Sequence, residues 1–184
     1  REEKVCELLG VSRTPLREAM IRLTREGLLE KRTNCGCVVR KPPQEELAEL
    51  MEGRALLEGL VVRKWFDRLD RDACKDLDRR LHDAEAGEPR SRRRRILGAD
   101  GEIHELILSA CPNRFVADQI RHLRTLCGPY RAHRCAVAED IGEMLEERRR
   151  ITRAVVAGDP AKAEAALAAH FQKSLSHYSR GEDK

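Results

Sequence analysis

The chain is poor in the features that mark several large classes of protein. Only 3% of its 184 residues are aromatic, which disfavours modules that stack single-stranded bases on Phe, Tyr or Trp. No apolar run approaches the roughly 20 residues that span a bilayer, and no signal-peptide pattern opens the sequence. The seven cysteines include no C-x-x-C pair, so neither a zinc finger nor a disulfide framework is indicated. We therefore expect a cytoplasmic protein without a membrane segment.

The small excess of positive charge is concentrated at one end of the chain. The net charge is +4, and residues 1–41 contain ten Lys or Arg against six Glu. The rest of the chain contains 26 basic and 26 acidic side chains. Clustered basic charge is typical of proteins that bind polyanions. The charge pattern therefore predicts a small basic domain followed by a larger neutral one.

The basic segment has the pattern of a helix-turn-helix. An amphipathic stretch over residues 2–9 is followed by a glycine and a short turn. A second helix is predicted with Thr14 as its N-cap and a proline as its first residue, extending to about Glu26. Arg13 and Arg17 fall on one exposed face at the start of this helix, since positions four apart align. Arginines in that place are typical of a DNA-recognition helix.

The residues after this helix predict a wing and a hinge. Two short β segments, Leu28–Leu29 and Val38–Val39, flank a polar turn that contains Gly36, which is the pattern of a hairpin. Residues 1–41 therefore form a predicted winged helix-turn-helix domain. The two prolines at 42–43 then predict a stiff hinge, because neither fits a continuing helix or a central strand.

Everything after the prolines has a helical pattern and predicts one all-α bundle over residues 44–184. The interruptions fall at glycine, proline and asparagine positions, including Gly128–Pro129 and Gly158–Pro160. The fold class is thus mainly α. The predicted helices lie near 44–67, 70–86, 93–110, 114–127, 139–157 and 160–179.

Several motifs along the chain carry a family resemblance. They are Gly10-Val-Ser-Arg-Thr-Pro-Leu-Arg-Glu-Ala19 with Arg22-Leu23 and Glu26-Gly-Leu-Leu29, then Arg54-Ala-Leu-Leu-Glu58, Asp100-Gly-Glu-Ile-His104 with Ala110 and Asn113, Ala154-Val-Val-Ala-Gly-Asp-Pro-Ala161, and Ala169-His170. The first group closely resembles the signature of GntR-family winged-helix transcriptional regulators. The others resemble the FCD effector domain of the FadR subfamily. The resemblance covers nearly the whole chain, although the family's first DNA-domain helix has no counterpart here.

This resemblance implies a ligand-responsive bacterial transcriptional regulator that binds double-stranded operator DNA as a homodimer. Arg13, Thr14 and Arg17 would be its DNA-contacting residues on the recognition helix, with Gly36 at the tip of the wing. Guanidinium groups there can form bidentate contacts to guanine or bind phosphates. A small effector in the helical domain would then release or remodel the DNA complex, because it binds one arrangement of the two DNA heads better than the other.

The resemblance also implies a metal pocket, from which this sequence departs. FCD domains commonly hold a divalent metal through one Asp and three His, and Asp100, His104 and His170 match three of these positions. Zn, Ni and Mn suit such ligands. The remaining position holds Arg148, and a guanidinium is no metal ligand at neutral pH and repels a cation. We therefore predict weak or absent metal binding, with a three-ligand site as the open alternative.

Arg148 leaves two further possibilities open, because a buried guanidinium stays protonated and needs a partner. It can pair with Asp100 in place of the metal, or it can bind the carboxylate or phosphate of an effector. The second possibility favours a small organic-acid-like effector. The predicted effector-binding residues are Arg54, Asp100, His104, Asn113, Arg148 and His170.

Two alternative functions remain at this point. The bundle could be a ligand-free dimerisation domain attached to the same DNA-binding module. More remotely, Asp100, His104 and His170 could hold the metal of a hydrolase, which would need an open coordination position and a nearby general base. No second carboxylate is obviously placed for that role in the sequence, so we expect no enzymatic activity.

Overall fold

The computed structural model describes residues 2–33, 36–85, 89–137 and 141–179. The chain divides into two compact units, Arg1–Pro43 and Gln44–Lys184. The predicted hinge at residues 42–43 lies at this division. In the described residues, the first unit consists of two helices and a hairpin, and the second consists of helices.

The helix-turn-helix of the first unit consists of α1, Glu2–Leu9, and α2, Arg13–Arg25. The prediction that Thr14 is the N-cap of α2 was wrong. The cap is Ser12, with extended backbone and no side-chain cap hydrogen bond, and Pro15 is the third helical residue. Both Ser and Thr suit a cap, and a proline is tolerated anywhere in the first turn because N–H groups there have no intrahelical partner.

The predicted hairpin is present and its strands are longer than the sequence pattern indicated. β1, Leu29–Arg32, pairs antiparallel with β2, Gly36–Val39. Leu29 lies opposite Val39 and Arg32 lies opposite Gly36. The turn residues 34–35 lie outside the described part of the chain.

The second unit contains six long helices and a single 3-10 turn at Phe66–Arg68 among its described residues. Proline begins two of the helices, where its fixed φ suits the first turn. None of the described helices has the length and apolar character needed to cross a membrane. The helices are α3 Gln44–Trp65, α4 Arg71–Glu85, α5 Pro89–Ser109, α6 Arg114–Val137, α7 Ile141–Val156 and α8 Pro160–Ser179.

One predicted helix break was wrong. Gly128–Pro129 was expected to end a helix at residue 127, but α6 continues to Val137. A proline inside a helix removes one hydrogen bond, yet packing can outweigh a local preference of that size. Ala117, Ile120 and Cys127 of α6 are all buried in the core, so the helix is fixed by contacts that the local pattern does not contain.

All six helices contribute side chains to the core of the second unit, and α4 packs on α7 while α8 packs on α3 and α7. Its centre is aliphatic, with side chains that are at most 1% exposed: Val61, Val62, Leu77, Leu81, Ile120, Ala163 and Leu167. Charged groups are almost never buried so deeply unless they are paired. The buried charged residues beside this apolar centre therefore indicate a candidate site.

Candidate DNA interface and effector site

The two arginines at the start of α2 are accessible and each contacts a carboxylate of α1. The side chains of Arg13 and Arg17 are 61% and 62% exposed. Arg13 donates from Nη2 to Oε1 of Glu3 at 2.5 Å. Arg17 donates from Nε to Oε2 of Glu2 at 3.0 Å. The predicted contact residues therefore lie on an open surface, and their partners were not anticipated from the sequence.

The other two predicted DNA-contacting residues are also exposed. Thr14 lies in the first turn of α2. Gly36 begins β2 with φ of +78°, a backbone conformation that L side chains rarely adopt. Apart from its chain neighbours, no heavy atom of the described residues lies within 4 Å of the position that a Cβ on Gly36 would occupy, so the backbone there is accessible.

Five of the six predicted effector-binding residues are buried in the second unit. They come from α3, α5, α7 and α8, and none is more than 4% exposed. The ring centroids of His104 and His170 lie 5.4 Å apart. The five residues are Arg54, Asp100, His104, Arg148 and His170.

Arg148 and Asp100 form an ion pair inside this cluster. Arg148 donates from Nη2 to Oδ1 of Asp100 at 2.6 Å, and from Nη1 to the main-chain oxygen of Met144 at 2.6 Å. Nε of Arg148 is buried and has no hydrogen-bond partner among the described residues. Of the two roles considered for Arg148, the structure contains the pairing with Asp100.

Glu58 connects Arg54 of α3 with His104 of α5. Arg54 donates from Nε and Nη2 to Oε1 of Glu58 at 3.1 and 3.0 Å. The other carboxylate oxygen of Glu58 contacts Nδ1 of His104. Burial alone would raise the pKa of Glu58, but the charges and hydrogen bonds of His104 and Arg54 hold this pKa at about 2. Glu58 is therefore an anion at neutral pH.

His170 lies between two carboxylates. Its Nδ1 is 3.3 Å from Oε2 of Glu147, and its Nε2 is 3.4 Å from Oδ1 of Asp100. Burial lowers the pKa of His170 to about 4, although the hydrogen bond with Glu147 and the charge of Asp100 act in the opposite direction. A neutral imidazole carries one proton, so one of these nitrogens faces its carboxylate with a lone pair.

Known protein families match both units. The model of bacterial regulatory proteins of the gntR family matches residues 1–39, and the FCD domain model matches residues 49–173. The chain belongs to the GntR family of transcriptional regulators. It is a GntR regulator with an FCD domain, and this confirms the resemblance, the mainly helical fold and the ligand-responsive regulatory function predicted from the sequence.

Individual relatives agree with this assignment. The chain is 30% identical to a probable D-xylose utilization operon transcriptional repressor of Paenarthrobacter nicotinovorans, over 100% of this chain and 81% of the relative. It is 27% identical to the transcriptional regulator LutR of Bacillus subtilis, over 92% of this chain and 85% of the relative. The structure of Escherichia coli McbR/YncC aligns with a TM-score of 0.78 at 22% identity, over 97% of this chain and 86% of that one. This last likeness shows a shared fold.

The FCD domain holds a set of metal-ligand residues, but their surroundings do not suit a tightly bound cation. Ligand atoms of Asp100, His104 and His170 lie within 4.8 Å of one another. Glu58 and Glu147 contact the Nδ1 atoms of the two histidines, which leaves Nε2 of each as a possible ligand. Set against this, the guanidinium of Arg148 is bound to the oxygen of Asp100 that lies nearest His170. The three donors of this GntR regulator could therefore coordinate a cation, but a guanidinium already lies bound to one of them.

Asn113 is the predicted effector residue that the FCD domain does not bring into the cluster. It is exposed, and its Oδ1 accepts hydrogen bonds from the main-chain N–H groups of Phe115 and Val116 at 3.1 and 3.3 Å. This is the geometry of a helix N-cap, and α6 begins at the next residue.

Sequence reasoning missed three members of this FCD cluster. Glu58 ends the Arg54–Glu58 motif. Its spacing of four residues from Arg54 places the two side chains on one helix face, and this spacing could have predicted their contact. Glu147 precedes Arg148. Phe171 follows His170 and packs under the guanidinium of Arg54, whose Cζ lies 5.0 Å from the ring centroid.

Proposed function

We propose that Arg13, Thr14, Arg17 and Gly36 form the operator-binding surface of this GntR regulator. The observation that carries the proposal is the exposure of Arg13 and Arg17 on the first two turns of α2. Free main-chain N–H groups at that helix end favour the anionic DNA backbone. An arginine fork suits the O6 and N7 atoms of guanine, so these two residues supply sequence recognition.

The regulator acts as a homodimer in the cytoplasm, where its operators are. A dimer presents two recognition helices to the half-sites of a two-fold symmetric operator. Family membership and the separation of the chain into two units support this proposal. Residues 42–43 then act as the hinge through which effector binding changes the arrangement of the DNA-binding units.

The effector is a small organic acid that binds in the buried cluster of the FCD domain. Arg148 supports this chemistry, because its Nε is buried and has no hydrogen-bond partner in the part of the chain that the structure describes. A carboxylate is the natural acceptor for such a donor. Arg54 supplies a second buried guanidinium within the same set of helices.

The cluster binds a divalent metal weakly or not at all, because Arg148 already supplies a positive charge beside Asp100. A divalent ion at Asp100, His104 and His170 would lie next to that guanidinium and would be repelled by its positive charge. Its remaining coordination positions would have to be completed by water or by the effector.

The chain has no catalytic role in this proposal. The structure places two carboxylates, Glu58 and Glu147, beside the histidines, whereas the sequence pattern suggested none. Each contacts a histidine Nδ1, so each is engaged in orienting an imidazole. Neither supports the hydrolase alternative, which requires a carboxylate that can act on a water molecule.

Selection of binding sites from a library of random duplex DNA tests the DNA-binding proposal directly. Arg17→Ala is expected to weaken binding to the selected duplex by about 1–3 kcal/mol and to relax the selected sequence at one position in each half-site. Arg22→Ala is the matched control, since Arg22 is on the same helix and is 76% exposed. Equal losses in the two variants would contradict the assignment.

A further inference from the structure

The recognition arginines of α2 are each held by a different carboxylate from the first turn of α1. Glu3 contacts a terminal nitrogen of Arg13 at 2.5 Å, and Glu2 contacts Nε of Arg17 at 3.0 Å. These four side chains have a formal net charge of zero. The place where the proposed function requires contact with DNA is thus locally neutral, although residues 1–41 have a net charge of +4.

The positive charge that remains available lies elsewhere in the first unit. Lys4 and Lys31 are exposed, and they are in no ion pair with the residues that the structure describes there. Contacts between such lysines and phosphates give affinity for any DNA sequence. Recognition and non-specific attraction are therefore assigned to different side chains of this unit.

The geometry leaves each arginine able to recognise a base. A guanidinium has five N–H donors on three nitrogens in one plane. Glu2 uses Nε of Arg17, so both terminal nitrogens remain for a bidentate contact with guanine. Glu3 uses one of the two N–H groups on Nη2 of Arg13, so the second N–H of Nη2 remains for a contact with a base, together with a neighbouring nitrogen of the same edge. A carboxylate on one edge restrains a long side chain that would otherwise rotate freely in solvent.

We propose that Glu2 and Glu3 are positioning residues that determine the DNA specificity of this regulator. They hold Arg17 and Arg13 with their free donors directed outward, and they cancel the charge that these arginines would offer to phosphates of any sequence. The inference rests on the proposed contact of Arg13 and Arg17 with bases. Its consequence is that removing either carboxylate increases binding to DNA in general and decreases discrimination between sequences.

The test compares Glu2→Gln and Glu3→Gln with the unaltered chain, using the duplex selected from a random library and a scrambled duplex of equal length. Glu7→Gln is the matched control, because Glu7 is exposed on the same helix and the substitution removes the same charge. We expect affinity for the scrambled duplex to rise about three- to ten-fold in the two test variants, because a nearby repulsive charge is removed. The ratio of specific to scrambled affinity is expected to fall by a similar factor.

The double variant Glu3→Gln/Arg13→Ala separates positioning from a general charge effect. If Glu3 acts through Arg13, Glu3→Gln does not lower the specificity ratio any further once Arg13 is absent. An unchanged ratio in both Gln variants, or an equal change in Glu7→Gln, overturns the inference. The proposed function fails in a different way, since it fails when Arg13→Ala and Arg17→Ala bind the selected duplex as tightly as the unaltered chain.

Discussion

The guanidinium of Arg148 donates to Oδ1 of Asp100 at 2.6 Å, and both side chains are at most 3% exposed. The same oxygen lies 3.4 Å from Nε2 of His170. A cation beside this oxygen would lie next to the positive charge of the guanidinium. This ion pair connects α5 and α7. It lies among Asp100, His104 and His170, whose ligand atoms could otherwise hold a cation.

Replacing Arg148 with histidine is expected to create metal binding. Arg148→His removes the guanidinium charge beside Asp100 and adds a ring nitrogen as a fourth donor to three ligand atoms that lie within 4.8 Å of one another. Metal analysis after dialysis against zinc is expected to give about one Zn per chain in this variant and far less in the unaltered protein.

Arg150→His is the matched control for this exchange, because it introduces the same side chain on the same helix at a position that is 61% exposed. A full equivalent of metal in the unaltered chain, lost in His104→Ala, would show that Arg148 does not exclude the cation.

Arg148 is also expected to contribute strongly to stability. Arg148→Met removes the guanidinium from a buried carboxylate, and breaking such a pair typically lowers the free energy of unfolding by about 3–5 kcal/mol. The double variant Asp100→Asn/Arg148→Met is expected to recover much of that loss, since no buried charge is left opposite the apolar side chain. Urea denaturation followed by circular dichroism measures the free energy of unfolding of the single and the double variant. Arg150→Met, at an exposed position of the same helix, is the control. A double variant as unstable as the sum of its single variants would show that the two residues act independently.

The helices could be predicted from the sequence where local chemistry decides their ends. Gly158–Pro160 predicted the break between α7 and α8, because a glycine, a capping aspartate and a proline each act within a few residues. The break expected at Gly128–Pro129 is absent because α6 is fixed by packing against other helices. Packing between distant segments is not contained in a local pattern.

The buried site could also be predicted only in part, because local motifs identify single residues and not the contacts between helices. The motifs identified Asp100, His104, Arg148 and His170, since each has its own place in a family pattern. The contact of Glu58 with His104 joins residues that are 46 apart in the chain. The contact of Glu147 with His170 joins residues that are 23 apart. Such contacts depend on how helices pack, so these carboxylates became visible only in the structure.

Two glycines are expected to respond in opposite directions to alanine. Gly158 follows α7 with φ of +74°, and a Cβ there would lie 3.3 Å from Nη1 of Arg71. Gly158→Ala is therefore expected to lower the free energy of unfolding by about 1–2 kcal/mol. Gly98 lies inside α5, and apart from the helix backbone and its chain neighbours no atom of the described residues lies within 4 Å of an added Cβ. Gly98→Ala is therefore expected to raise the free energy of unfolding by about 0.5–1 kcal/mol. Urea denaturation distinguishes the two, and a stabilising Gly158→Ala would contradict the backbone argument.

A panel of small organic acids is expected to include one that stabilises the FCD domain. A ligand present at about 100 times its Kd adds about 2.7 kcal/mol to the free energy of unfolding. For a chain of this size that corresponds to a rise of about 5–10 °C in the melting temperature. Neutral isosteres, such as the corresponding amides, are expected to give no shift, because they lack the charge that Arg148 binds.

Arg148→Met identifies the site of this effect, since a shift that depends on the buried cluster is lost in that variant while the variant itself still melts cooperatively. A shift that persists there would place the acid at another site. If no acid shifts the melting temperature with or without added zinc, the ligand-free dimerisation domain becomes the better interpretation. The Arg148–Asp100 pair between α7 and α5 and the Glu58–His104 contact between α3 and α5 would then hold these helices in register, because buried polar contacts can favour one packing arrangement over its alternatives.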